Sequence, residues 1–240
     1  MGATRSDMRT WAEVDLDAVA RNARRMLERR PRHRMIAVVK ADAYGHGAVP
    51  VARAALDAGA RMVGVGDSRE AIELVEAGIE APVLVLGAII DGEMAAMVRH
   101  DIRTTIHSSG RVAALADEAR RQGRIHRVHL KVDTGMGRLG VMPEKAVELA
   151  RLIEASPHLD LEGIGTHFAN SHLDRCETSL RQLEVFRRVV EEVRAAVGPV
   201  PWVHAMNTAA AWNLEIDAGF TNAMRIGAAL YGIPGPTDRP

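Results

Sequence analysis

Short apolar runs alternate with stretches whose apolar positions recur every three to four residues, almost without a break from residue 35 to residue 227. The runs predict strands near 35–40 (MIAVVK), 61–66 (RMVGVG), 82–87 (PVLVLG), 102–107 (IRTTIH), 127–133 (RVHLKVD), 160–167 (DLEGIGTH), 202–206 (WVHAM) and 223–227 (AMRIG). They are rich in valine, isoleucine and leucine, as strands buried on both faces should be. The stretches 47–59, 68–78, 91–100, 109–122, 142–156, 176–197 and 207–215 predict amphipathic helices. Ser68, ahead of Ala71 and Ile72, marks a helix start; Gly59, Gly78 and Gly123 mark helix ends. Eight strands with seven intervening helices predict an α/β fold, a (β/α)8 TIM-type barrel forming a single domain. A further helix over 15–30 precedes the first strand and would fill the place where the barrel closes. Upstream, WAEVDL (11–16) alternates like a strand that has no place among the eight. A doubly wound open sheet is the structural alternative, and it would leave long parallel edges to cover. The tail GIPGPTDRP (232–240) reads as a connection leading onward.

Composition narrows the class. The chain has 240 residues, 47% of them hydrophobic and 26% charged, which fits a globular α/β domain with a sizeable core. Lysine plus arginine and aspartate plus glutamate number 31 each, so the balance gives no support to a nucleic-acid partner. The basic stretch from Arg21 to Arg34 is expected to be a solvated helix face. A single cysteine, Cys176, excludes an internal disulfide and carries no partner pattern for zinc or nucleophilic work. No apolar run approaches the ~18 residues of a membrane span, and the N-terminus lacks the apolar core of a signal peptide. A cytoplasmic location without membrane contact is therefore expected.

In a barrel the chemistry sits at the carboxyl ends of the strands. Lys40 stands at the first of these ends, with Tyr44 and His46 just beyond. Asp133 and Arg138 follow the fifth strand, and His167 ends the sixth. Asn207 and Thr208 follow the seventh, while Arg225, Gly227 and Tyr231 lie in or after the eighth. The set predicts an electropositive mouth. MNTAAA offers a hydroxyl and amides at a helix start, which suits an anion, and Gly227 would let a phosphate approach the backbone. Without a ligand, Asn207 and Thr208 would be plain helix caps. A lysine partly desolvated among other cations holds more free amine, which forms Schiff bases with carbonyls. Beside a phosphate site that chemistry suits pyridoxal phosphate or an aldolase-type imine. The competing reading is a structural salt bridge from Lys40 to Asp42 or Asp133.

AVVKADAYGHG (37–47) resembles the pyridoxal phosphate attachment motif of bacterial alanine racemases. KVDTGMGRLG (131–140), EGIGTHFANSH (162–172) and MRIGAALYG (224–232) are similar to that family too, in its order and at its intervals, and the likeness runs from Trp11 to Gly232. The resemblance implies a barrel carrying pyridoxal 5'-phosphate over residues 1–232, with 1–17 packing on a second domain and 233–240 connecting to it. It makes Lys40 the cofactor-bearing lysine and one of two catalytic bases. Tyr44 would touch the phosphate side, and Arg138 would bind the substrate carboxylate and the cofactor's phenolic oxygen. His167 would lie beside the pyridine ring, and Arg225 would face the pyridine nitrogen. Asn207, Thr208, Gly227 and Ile226 or Ala228 would hold the phosphate, with Thr208 where the family often has serine. Lys131 matches a position that is carbamylated in some members. No metal is implied.

Alanine racemases carry a C-terminal β-domain that supplies a tyrosine base to the partner subunit's active site. The 240 residues contain two tyrosines, Tyr44 and Tyr231, both within barrel motifs. The expectation is thus the cofactor-binding barrel of an enzyme that interconverts L- and D-alanine for cell-wall peptidoglycan, a homodimer in its full-length form, with weak or no activity in this chain alone. A non-catalytic pyridoxal phosphate barrel and a barrel-type amino-acid decarboxylase are the alternatives. Neither accounts as well for Arg138 in GMGRLG or for the DAYGHG continuation after the lysine.

Overall fold

The computed structural model describes residues 9–172, 176–217 and 219–233. Eight parallel strands close into a barrel in sequence order, β1 (Arg34–Val38), β2 (Met62–Val65), β3 (Val83–Val85), β4 (Arg103–Ile106), β5 (His126–Lys131), β6 (Leu159–Gly165), β7 (Trp202–Met206) and β8 (Ala223–Ile226). Pairing of β1 with β8, in register at Ile36 with Arg225, completes the ring and excludes the open sheet. The helices are α1 (Leu16–Arg29), the short turn α2 (Lys40–Gly45), α3 (Ala48–Asp57), α4 (Ser68–Glu76), α5 (Met94–Arg99), α6 (Ser109–Arg121), α7 (Ala146–Glu154), α8 (Glu177–Val197) and α9 (Thr208–Asn213). Outward-facing strand residues such as Ala37, Val63, Val85 and Ile164 are fully buried beneath this layer.

The lower barrel interior holds a small apolar cluster of Ile36, Met62, Leu84, Trp202 and Ala223. Nearer the carboxyl ends the interior turns polar. Thr105, His129, His204 and Arg225 are all buried, and buried polar groups need specific partners. The β5–β6 register shifts between Val128 and His129, so Glu162 has no opposite number on β5. Such a bulge re-aims the side chain at the extra position.

The helix ahead of the first strand does fill the closure. α1 packs against α3 and against the turn after β8, where Asn22 Nδ2 donates to Leu230 O at 3.1 Å. The alternating WAEVDL, however, is not a strand among the described residues. A closed barrel presents no free edge for it, and Asp15 instead caps α1, accepting from Ala18 N at 3.0 Å. The remainder of the expected terminal segments, residues 1–8 and 234–240, lies outside the described residues.

The basic stretch is for the most part the solvated face expected, with Arg21, Arg24, Arg25, Arg29 and Arg32 exposed; Arg30 is the exception. Arg30 is buried, with Nε donating to Ala211 O at 2.9 Å and a further bond to Leu214 O. Arg29 lies over the Trp212 ring at 4.6 Å, and Arg34 over Trp202 at 3.7 Å. Guanidinium planes stack on aromatic faces and satisfy carbonyls at once, so Arg29 and Arg30 tie α1 to α9, while Arg34 covers Trp202 at the barrel's lower end. No described helix is long and apolar enough to cross a membrane.

Candidate active site

The carboxyl ends of the strands open on a cavity of about 730 Å3. Lys40, Tyr44, Lys131, Arg138 and His167 line it, and so do Asn207, Thr208, Arg225, Gly227 and Ala228. Eight strands' worth of chain separates these residues in sequence; barrel closure gathers them. Ile226, the other candidate for the phosphate loop, is fully buried in the outer core. Two lysines and two arginines line the cavity and, among the described lining residues, there is no carboxylate.

Lys40 follows Val39 directly into an unusual turn. Ala41, Asp42, Ala43 and Tyr44 have φ of 52°, 51°, 54° and 56°. Left-handed backbone costs a non-glycine residue on the order of 1–2 kcal/mol, so the turn must be held by its surroundings. Glu70 accepts from Ala41 N at 2.6 Å and from Gly66 N at 2.7 Å. Asp42 Oδ1 accepts from Ala48 N at 2.7 Å. The turn sets Lys40 and Tyr44 on the same rim, with Nζ 5.9 Å from the Tyr44 ring centre.

Lys40 is exposed at this mouth, and not desolvated as its position after a buried strand suggested. The strand stops at Val38, and the left-handed turn carries the side chain out to the rim. The salt-bridge reading fails as well. Asp42 is engaged by Ala48 N, and Asp133 accepts from the amides of Gly135, Met136, Gly137 and Arg138 at 2.8–3.1 Å. Neither carboxylate pairs with Lys40, which has no ion-pair partner among the described residues. Asp133 instead shapes the loop that presents Arg138.

Beside Lys40, the chain after β8, the strand paired with β1, makes a pocket of backbone amides. Thr208 Oγ1 lies 3.4 Å from both Gly227 N and Ala229 N. A Cβ at Gly227 would come within 2.8 Å of Tyr44 Oη, so glycine keeps the space between hydroxyl and amides open. These donors, with the tyrosine hydroxyl, suit a phosphate group by size and polarity. Next to this pocket lies the helix start expected to bind the anion. α9 has six residues, and Asn207 Oδ1 is committed to its cap, accepting from Ala210 N at 2.9 Å and from Ser171 Oγ at 2.8 Å.

The floor is formed by His167, Lys131 and Arg225. Burial, with Arg225 and other cations nearby, pushes the His167 pKa down to about 2, so the ring is neutral at ordinary pH. Burial, then Arg225 and Arg138, holds the Lys131 amine well below its usual value. Arg225 is pushed down to about 10 by burial and Arg138, and stays charged. Its NH1 donates to His204 Nδ1 (2.6 Å) and His204 O (2.9 Å); its NH2 donates to Thr166 O (2.7 Å) and Ala205 O (3.0 Å) and lies 3.2 Å from His167 Nδ1. Among the described residues, nothing accepts from its Nε–H. The sequence reading overlooked His129, His204 and Glu162, which stand behind Arg225. Their signal was present in the two-residue spacing of His129 and Lys131, which places both inside the barrel.

The family model for the N-terminal domain of alanine racemase matches residues 14–234. The chain belongs to that family. The alanine racemase of Symbiobacterium thermophilum is 42% identical over 226 residues, covering 94% of this chain and 59% of that protein. Alanine racemase 1 of Bacillus subtilis is 40% identical, covering 93% and 56%. Among solved structures, the Streptomyces lavendulae alanine racemase superposes with a TM-score of 0.86 at 33% identity, covering 91% of this chain and 58% of that one. The Clostridium difficile 630 alanine racemase gives 0.89 at 30%, covering 93% and 59%. The chain thus spans less than two thirds of the length of these relatives.

Proposed function

We propose that this barrel binds pyridoxal 5'-phosphate and forms the cofactor-carrying part of an alanine racemase that interconverts L- and D-alanine. The observation that carries the reading is the cavity itself, with Lys40 free of an ion pair among the described residues, two arginines, no described lining carboxylate and a glycine-cleared amide pocket. A dianionic phosphate and an amino-acid carboxylate both suit such a charge pattern. The cofactor, when bound, withdraws electrons from the substrate and acidifies its Cα proton.

The chain's residues then divide the work. Lys40 Nζ holds the cofactor and moves the proton on one face of Cα. Tyr44, Thr208 and the amides of Gly227 and Ala228 hold the phosphate, with Asn207 ordering α9 beside them. His167, neutral, packs beside the ring without adding charge. Arg225 would offer its Nε–H to the pyridine nitrogen, and a guanidinium donates a hydrogen bond but hardly a proton. Arg138 receives the substrate carboxylate. The depressed pKa of Lys131 would supply the neutral amine that carbamylation by carbon dioxide requires, beside the guanidiniums of Arg138 and Arg225.

Racemisation needs a proton-moving group on each face of Cα. Tyr231 Oη is bound to Val38 O at 2.9 Å, and Tyr44 faces the phosphate pocket, so neither tyrosine is placed for the second face. The full protein would supply that group across a homodimer interface, in the cytoplasm, for peptidoglycan synthesis. In D2O with pyridoxal phosphate, the 240-residue chain should exchange the Cα hydrogen of one alanine enantiomer faster than it racemises either. Absence of exchange with both enantiomers would count against the reading.

A further inference from the structure

Four side chains form one hydrogen-bonded line through the barrel interior. Arg225 NH1 donates to His204 Nδ1 at 2.6 Å; His204 Nε2 lies 2.9 Å from His129 Nδ1; and His129 Nε2 lies 3.2 Å from Glu162 Oε2. Arg103 Nε holds the same carboxylate oxygen at 3.3 Å from the far side.

The ends of the line fix its direction. A guanidinium only donates, and an ionised carboxylate only accepts. His204 Nδ1 must therefore accept from Arg225. A neutral ring accepting at Nδ1 carries its proton on Nε2, and that proton points at His129 Nδ1. His129 then carries its own proton on Nε2, facing Glu162. A second proton on either ring would set two N–H groups head to head. Burial depresses the pKa of both imidazoles, which agrees with single protonation, while contacts with His129 and Arg103 outweigh burial and hold Glu162 below its usual range.

Strand β6 is built around this line. A Cβ at Gly163 would overlap the His129 ring, and a Cβ at Gly165 would overlap the His204 ring. Two glycines at alternate positions thus clear one imidazole each. The bulge at Glu162 turns its carboxylate toward His129. EGIG, residues 162–165, contains the terminal acceptor and both clearances. Among the described residues Arg225 has no carboxylate in direct contact; Glu162, reached through two rings, is the counter-charge on its chain of bonds.

We propose that Glu162 is a positioning residue for Arg225, acting through His129 and His204. Its negative charge and the Arg225 N–H, one at each end, together lock both rings as Nε2–H tautomers; without the carboxylate, His129 Nε2–H loses its acceptor, and the reversed line, with Arg225 NH1 turned away from a protonated His204 Nδ1, becomes accessible. With both Nη groups held by the protein, the guanidinium is fixed, and Nε–H alone is left for a ligand. The tautomer lock does not depend on which ligand that is; its consequence for the cofactor's pyridine nitrogen rests on the function proposed above.

The test is nitrogen NMR of the full 240-residue chain labelled with 15N-histidine, recorded without cofactor. His129→Asn and His204→Asn serve to assign the two rings. In the native chain each ring should give one unprotonated Nδ1 and one protonated Nε2. A protonated Nδ1 on either ring of the native chain overturns the proposal without recourse to any variant. Glu162→Gln keeps size but can donate as well as accept, and Glu162→Leu removes the acceptor. Either variant, folded by circular dichroism, should show a second His204 signal set with Nδ1–H. A single unchanged His204 tautomer in a folded variant also overturns it. With 15N-pyridine-labelled pyridoxal phosphate added, Glu162→Gln should shift the pyridine resonance toward that of the unbonded base. A native chain that binds no cofactor would defeat the functional reading and leave the tautomer result to decide this proposal by itself.

Discussion

The hydroxyl of Tyr44 and the α-carbon of Gly227 are so close that a single methyl group between them would sit 2.8 Å from the oxygen. Tyr44 belongs to the left-handed turn after β1, and Gly227 to the turn after β8. Barrel closure alone brings them together, and the space they keep is where the phosphate is proposed to lie.

Gly227→Ala should therefore displace the Tyr44 hydroxyl and crowd the amides behind it. Loss of one hydrogen bond to a charged group costs about 1.5–3 kcal/mol, or roughly 10- to 100-fold in affinity. Titration of the chain with pyridoxal phosphate reads this directly. Binding equal to that of the native chain would mean that the phosphate lies elsewhere.

Asp133 should matter for Arg138 more than for the barrel as a whole. Its carboxylate accepts four consecutive-loop amides, from Gly135 to Arg138, and these bonds hold its pKa below the usual value despite burial. Asp133→Ala should cost about 0.5–1.5 kcal/mol in urea unfolding, as the largely exposed loop amides exchange their acceptor for water. Hydrogen exchange should quicken at residues 135–138. Protection there unchanged from the native chain would show that the loop is held by other contacts.

Acid should weaken the fold through His126. The ring is buried, with Nε2 2.9 Å from Thr104 Oγ1 and Nδ1 without a partner among the described residues. Burial lowers its pKa from 6.5 to about 4. Between those values the unfolded chain binds the extra proton and the folded chain does not, so stability is full above about pH 6.5 and falls as pH drops toward 4. The loss through this window is about 3 kcal/mol. Urea unfolding at pH 7 and pH 4 measures it, and His126→Gln should flatten the difference by that amount. An equal pH dependence in the variant would assign the acid sensitivity to other groups.

The barrel was legible because its strands are short, apolar and spaced by amphipathic helices, and each of the eight falls within a residue or two of its expected place. Alternation failed at WAEVDL because a strand needs a neighbour, and a closed barrel leaves none. The turn from Ala41 to Tyr44 was invisible because no glycine or proline marks its left-handed residues; Glu70, 29 positions from Ala41, supplies the support. Site residues stood out where they followed strands, as Arg138 and Thr208 do. Within strands the signal was uneven: Arg225, near the end of β8, stood out, and three deeper residues did not. His129, His204 and Glu162 sit in runs that read as ordinary core, and only the register of β5 against β6 joins the carboxylate to the ring.

The account turns on Lys40. The chain has three lysines, Lys40, Lys131 and Lys145. Lys131 sits in the cavity floor with a depressed pKa, while Lys145 pairs with Glu148 at 2.9 Å. Treatment of the cofactor-loaded chain with borohydride, followed by peptide mass spectrometry, distinguishes the three. A phosphopyridoxyl group on Lys40, absent from Lys40→Ala, is the predicted result. A stable adduct on Lys131 or Lys145, or none on any lysine at saturating cofactor, would contradict it.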